Sequence, residues 1–193
     1  MSRPQEIEKE IQNATEVLKK GGLILYPTDT IWGIGCDATN DEAVEKIFQL
    51  KIRDEVKSLI LLIDTENKLG RYVKDVPEQA WDLIEFSTKP LTIIYDQGLN
   101  VSKKAIANDG SLAIRVTKDP FCKQLIYKFG KPIVSTSANM SGTSSPATFA
   151  EIDSRVLNGV DYVVNLRQNE KTGNKASAII RLGAKGQIKI IRK

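Results

Sequence analysis

The chain of 193 residues is 41% hydrophobic and 27% charged, which suits one core-forming domain spanning 1–193 with no linker inside it. It has no histidine and only two isolated cysteines, which excludes Ser-His-Asp hydrolysis, histidine general bases and zinc held by either residue type. A net charge of +4 and a pI near 9.0 permit contact with nucleic acid without requiring it.

No apolar run approaches the roughly 20 residues of a membrane helix, and Met1 to Lys9 lacks the apolar stretch of a signal peptide. With Cys36 and Cys122 far apart, a cytosolic, reducing compartment is the expectation.

In chain order, Ile7, Ile11, Ala14, Val17 and Leu18 recur at helical spacing, and Gly21-Gly22 stops that helix. Leu23–Tyr26 is a buried strand that runs into Pro27-Thr-Asp-Thr-Ile-Trp-Gly33. Asn40 and Asp41 cap a helix through Leu50. Ser58–Ile63 is all apolar after its serine, as in a strand covered on both faces. A helix over Glu78–Phe86, strands Leu91–Tyr95 and Leu112–Val116, and a helix Pro120–Phe129 follow. A short strand, Pro132–Val134, then ends in Ser135-Thr-Ser-Ala-Asn-Met-Ser-Gly142. Thr148-Phe-Ala-Glu151 is a capping-box pattern for a helix toward Leu157. A strand Asp161–Asn165, a polar loop Leu166–Lys175 and strands Ala176–Ile180 and Ile188–Ile191 close the chain. Interleaved strands and helices predict an α/β fold with a mixed central sheet.

Four polar clusters fall at or near strand ends: Thr28-Asp-Thr30; Lys51-Ile-Arg53 with Lys57 and Ser58; Ser111 with Arg115; and Ser135 to Gly142. In open α/β sheets ligands gather at strand ends, and small hydroxyls with loop N–H groups suit phosphates and other anions. Arg115 interrupts an apolar strand, so on a buried strand it must meet an anion or a carboxylate. Three cations lie within Lys51-x-Arg53-x-x-x-Lys57, yet no Walker or Rossmann glycine pattern is present.

Taken together, these segments resemble the YrdC/TsaC family of threonylcarbamoyl-AMP synthases, over about Gly21 to Arg192. Gly22-Leu-Ile-Leu-Tyr-Pro-Thr-Asp-Thr-Ile-Trp-Gly-Ile-Gly35 is similar to its strand and PT(D/E)T-x-(Y/W)G turn. Lys51-Ile-Arg53 is similar to its KxR, and Leu112-Ala-Ile-Arg-Val116 to its arginine-bearing strand. Ser137-Ala-Asn-Met-Ser-Gly142 resembles its SANxSG signature, Ala176-Ser-Ala-Ile-Ile180 its penultimate strand, and Ile190-Ile-Arg192 its closing segment. Four positions depart: Leu62 stands where some members carry histidine, Thr136 where proline is common, Lys57 where many carry asparagine, and Asp54 replaces a proline after the arginine.

The resemblance implies an open, twisted mixed sheet with flanking helices, related to the dihydroxybutanone-phosphate synthase fold, and the short form without an extra C-terminal domain. It implies synthesis of L-threonylcarbamoyladenylate from L-threonine, bicarbonate and ATP, with release of pyrophosphate, for N6-threonylcarbamoyladenosine modification of tRNA. Carried over by position, it implies catalytic roles for Lys51 and Arg53. Threonine contacts fall at Thr30, Arg115, Ser135 and Ser177. ATP contacts fall at Arg53, Lys57, Ser111, Ser137, Ser145 and Arg192. Magnesium would travel with ATP rather than sit in a protein metal site, and Asp29 is the carboxylate to test as a metal or amine contact.

The partners it implies are the three substrates, tRNA or double-stranded RNA, and downstream tRNA threonylcarbamoyl transferase proteins. A preformed carbamate is already an anionic nucleophile, so a chain without histidine needs proximity and charge neutralisation more than a strong base. A non-enzymatic RNA-binding module with a basic concave surface is the competing class. The lack of aromatic RNA-stacking motifs argues against base-specific binding. Phosphosugar enzymes of the related fold lean on acidic metal clusters and histidine, which this chain lacks.

Overall fold

The computed structural model describes residues 3–52, 59–170 and 175–193. The helical stripe near the N-terminus forms α1 (Arg3–Lys19), which buries Ile11, Ala14 and Leu18. It stops at Gly21, whose φ of +71° is one that residues with a side chain rarely adopt. Next come β1 (Ile24–Tyr26), β2 (Gly33–Asp37) and α2 (Asp41–Lys51), the last capped by Asn40, whose side chain accepts from the N–H groups of Glu42 and Ala43. The middle of the chain supplies β3 (Ile60–Ile63), α3 (Leu69–Tyr72), α4 (Gln79–Phe86), β4 (Leu91–Tyr95) and β5 (Leu112–Val116). After them follow α5 (Pro120–Phe129), β6 (Ile133–Ser137), α6 (Ser154–Gly159), β7 (Tyr162–Val163), β8 (Ala178–Leu182) and β9 (Ile188–Arg192).

Among the described residues the strands form one nine-stranded mixed sheet in the order β7-β1-β2-β6-β3-β5-β4-β8-β9. The β1–β7, β3–β5 and β4–β8 pairs are parallel and the others antiparallel. Alternation of side chains across the pleat divides the apolar residues between two cores. Leu25, Ile34, Leu61, Ile114 and Val134 pack with α2 and Ala80 of α4 on one face. Ile24, Tyr26, Leu62 and Ile133 pack under α1 and α5 on the other.

That second face positions the site. Gly35, Ser135, Ile60, Ala113 and Ile94 stand opposite one another across five adjacent strands. In the neighbouring row Ile133 pairs with Leu62 and Leu62 with Arg115. Leu62 and Ile133 lie beneath the two helices, whereas Ala113, Arg115, Ile60 and Ser135 line an open cavity. Helical cover therefore ends along the sheet, and small residues beyond that line leave a hollow.

Several elements differ from the sequence reading. The strand expected to end at Val134 runs on to Ser137, so three hydroxyls belong to a central strand and not to a turn at its end. Gly33–Asp37, which the sequence reading left without an element beyond the turn ending at Gly33, is a fully buried strand whose glycines admit close neighbours. The helix expected from Thr148 to Leu157 divides into a 3-10 turn, Phe149–Glu151, and α6. Thr148 makes no side-chain cap there; Glu151 instead accepts from the Ala147 N–H. The last strands shift to Ala178–Leu182 and Ile188–Arg192, and Asp161–Asn165 contracts to Tyr162–Val163.

Candidate active site

Thr28, nearly fully buried, organises the first wall. Its Oγ1 donates to the Ile31 carbonyl at 2.7 Å, accepts from the Thr30 N–H at 3.0 Å, and lies 2.9 Å from Thr30 Oγ1. This tight turn points Thr30 toward Arg115, whose Nη1 donates to Thr30 Oγ1 at 3.1 Å. Arg115 is only 4% exposed, and its Nη2 lies 3.3 Å from Asp29 Oδ1. A buried guanidinium needs such an anion. Its Nε has no hydrogen-bond partner among the described residues.

The opposite wall comes from the C-terminal strands. Ser177 Oγ lies 2.8 Å from Thr92 Oγ1, and Arg192 folds over it, donating from Nε to the Ser177 carbonyl at 2.9 Å. Burial, and then the facing charge of Arg115, lower the pKa of the Arg192 guanidinium. No carboxylate among the described residues pairs with Arg192, so the cavity has a cation at its rim as well as one in its wall. The cavity measures about 290 Å³. Thr30, Arg115, Ser135, Ser137, Ser145, Ser177 and Arg192 all line it, at the small end of ligand-site volumes.

Other sequence candidates lie elsewhere. Ser111 is buried at the start of β5, where its Oγ donates to Asp109 Oδ1 at 2.6 Å, and it is not among the residues lining the cavity. Lys51 closes α2 with its ammonium directed behind the Ser137–Gly142 turn. Its Nζ donates to the carbonyls of Ser137 at 2.5 Å and Asn139 at 2.7 Å, and it too is absent from the cavity lining. The last turn of a helix and a row of turn carbonyls both attract a cation, which accounts for this placement. Asn139 donates to the carbonyls of Met140 and Thr143, and Gly142 takes a φ of +83°, so this part of the segment shapes the turn. Asp29 pairs with Arg115 and lines a neighbouring cavity of about 370 Å³, not the hydroxyl-lined one. Arg53, Lys57 and Ser58 lie outside the described residues.

Sequence reading assigned no role to Trp32, Gly33, Ile60, Ala113 or Ile94, which also line the cavity. Trp32 is fully buried with its ring against Phe149, centroids 4.9 Å apart. Trp32 and Gly33 stand in the PT(D/E)T-x-(Y/W)G turn and Ala113 in the arginine-bearing strand, and those motifs were their signal. Ile60 and Ile94 reach the cavity through strand register, which short motifs do not encode.

A hollow on a sheet face, walled by hydroxyls and two arginines, has the chemistry to suit a small anionic or zwitterionic ligand. Residues 16–193 match the Sua5/YciO/YrdC family model, described as Telomere recombination, and the chain belongs to that family. It is 36% identical to the threonylcarbamoyl-AMP synthase of Pseudoalteromonas translucida (strain TAC 125), over 80% of this chain and 84% of that one. It is 37% identical to the synthase of the same name from Hahella chejuensis (strain KCTC 2396), over 79% and 83% of the respective chains.

Among solved structures, E. coli YciO superposes with a TM-score of 0.82 at 25% identity, over 96% of this chain and 89% of that one. P. abyssi Sua5 complexed with L-threonine gives a TM-score of 0.78 at 26% identity, over 89% of this chain. The chain spans about half the length of that Sua5 protein, 50%. These likenesses bear out the mixed α/β class and the family expected from the motifs.

Proposed function

We infer that this chain is an L-threonylcarbamoyladenylate synthase, which joins L-threonine, bicarbonate and ATP and releases pyrophosphate for the threonylcarbamoyl modification of tRNA. The observation that carries this reading is the convergence of Thr30, Arg115, Ser135, Ser177 and Arg192 on one cavity in a chain of this family. Threonine presents a carboxylate, an ammonium and a hydroxyl. Arg115 is the group for the carboxylate, because a guanidinium held by Thr30 and Asp29 is already oriented. Ser135 and Ser177 supply hydroxyls for the remaining polar atoms. Asp29 supports Arg115 and partly neutralises it.

In the reaction, the amine of threonine forms an N–C bond to bicarbonate, with loss of water, giving an N-carboxylate. A carboxylate oxygen then attacks the α-phosphorus of ATP, and the bond to pyrophosphate breaks. The nucleophile enters the second step already as an anion, so no histidine is required to deprotonate it. Ser137, Ser145 and Arg192 line the same cavity and, by resemblance to the family, would meet the nucleotide. Arg53 and Lys57 add cations for its phosphates by resemblance to the family, with Ser111 beyond the cavity wall. Lys51 acts on this chemistry by fixing the two carbonyls of the Ser137–Asn139 turn.

Magnesium would arrive with ATP, held mainly by phosphate oxygens. Among the described residues no group of three or more His, Cys, Asp or Glu side chains is placed to hold a metal ion. The labile product would pass to downstream tRNA threonylcarbamoyl transferase proteins, and the basic pI near 9.0 suits contact with RNA. Two buried, unpaired thiols suit a reducing cytosol, and no described helix is long and apolar enough to cross a membrane.

Pyrophosphate release measured with each substrate omitted in turn tests the reading. Release should need threonine, bicarbonate and ATP together; release that persists without threonine would contradict it.

A further inference from the structure

Arg167 lies outside the cavity, yet it holds the turn that forms one wall. Its backbone takes a φ of +58°, a conformation costly for a residue with a Cβ. Its guanidinium makes a three-way clamp. Nη1 donates to Asp119 Oδ2 at 2.7 Å, Nη2 to the Thr28 carbonyl at 2.7 Å, and Nε to Glu170 Oε2 at 3.1 Å. Asp119 is itself fixed, because its Oδ1 caps α5 by accepting from the Cys122 N–H at 2.9 Å. Thr28 is the residue whose hydroxyl sets Thr30. A continuous path therefore runs from the start of α5 through Asp119, Arg167 and Thr28 to Thr30 and Arg115.

We propose that Arg167 is a positioning residue for the amino-acid substrate: it clamps the Thr28 carbonyl to Asp119 and so sets where Thr30 and Arg115 meet threonine. The proposal rests on the synthase reading above. A planar fork can hold Asp119 and Thr28 together, whereas a lysine reaches only one of them at a time. The guanidinium of Arg167 bonds to Asp119, Thr28 and Glu170 and to none of Ser137, Ser145 and Arg192, so its effect falls on threonine and spares ATP.

The test is calorimetric threonine binding with steady-state kinetics on full-length wild type, Arg167→Ala, Arg167→Lys and Asp119→Asn. Asp119→Asn keeps a cap for α5 while removing the charge that Arg167 meets. Arg167→Ala should weaken threonine binding about 10- to 100-fold, the range expected for a misplaced binding group, with the KM for ATP unchanged within about twofold. The two milder variants should fall between it and wild type. In a Thr30→Val background, Arg167→Ala should add little, because its effect passes through Thr30. Should Arg167→Ala fail to fold, the milder pair carries the same comparison. Unchanged threonine affinity in the variants, or equal weakening toward threonine and ATP, overturns the proposal while leaving the synthase reading intact. A wild-type chain that binds no threonine overturns both.

Discussion

Arg115 and Lys51 are both buried cations, and their surroundings give them different work. Arg115 meets a hydroxyl and a carboxylate and keeps its Nε without a described partner, whereas Lys51 directs its ammonium to turn carbonyls. Arg115→Ala should cost a charge-assisted contact of about 1.5–3 kcal/mol, or roughly 10- to 150-fold in threonine affinity, with ATP binding retained. Isothermal titration with each substrate checks this, and equal weakening of both would count against the assignment. Lys51→Met should instead lower stability by about 1.5–3 kcal/mol, since buried carbonyls lose their charged donor. Urea denaturation of the variant is the measurement, and an unchanged midpoint would show that the turn does not depend on Lys51. At this scale the sequence was informative about Arg115, because an arginine between Ile114 and Val116 needs an explanation. It was less so for Lys51, since spacing to Arg53 says nothing about which way a helix-terminal ammonium turns.

The element the sequence left unassigned is β2. The two glycines of Gly33-Ile-Gly-Cys-Asp37 weaken any local strand preference. Its reason for being a strand lies across the sheet. A Cβ on Gly35 would sit 2.7 Å from Tyr26 Cε1 and 2.9 Å from Ile133 Cγ2. Gly35→Ala should therefore cost about 1–3 kcal/mol through overpacking, measurable by chemical denaturation. A neutral result would mean that Tyr26 moves aside freely. The extension of β6 has a similar origin. Ser135, Thr136 and Ser137 look like turn residues, but pairing with Gly35, Ile34 and Gly33 holds them extended. Helices with clear periodicity, such as α1, α2 and α5, were legible because the apolar repeat is local. Strand order and register are non-local, so the row that forms the cavity floor could not be read from motifs.

The whole molecule carries no histidine, so no imidazole titrates between pH 5 and 8. Burial pushes the Tyr162 hydroxyl up to about 12, and burial likewise raises Tyr26 and Tyr95. A raised folded pKa stabilises fully below the unfolded value of about 10 and is lost as pH climbs through the folded one. On the acid side, a hydrogen bond from the Ser111 hydroxyl, followed by one from Arg181, holds Asp109 down at about 2. Its contribution is present above about pH 4 and fades as pH falls toward the folded value. Denaturation midpoints should therefore be nearly flat from about pH 5 to 9 and decline above about 10. A steep change near pH 6.5 would contradict that.

The claim that joins these scales is that one sheet-face cavity assembles threonine and ATP for a single reaction. Mass-spectrometric detection of threonylcarbamoyl-AMP, after incubating the purified chain with threonine, bicarbonate, ATP and magnesium, tests it most directly. The adduct should form with wild type and fall at least about tenfold with Arg115→Ala at limiting threonine. Absence of the adduct from folded wild-type protein, or undiminished formation by the variant, would contradict the account.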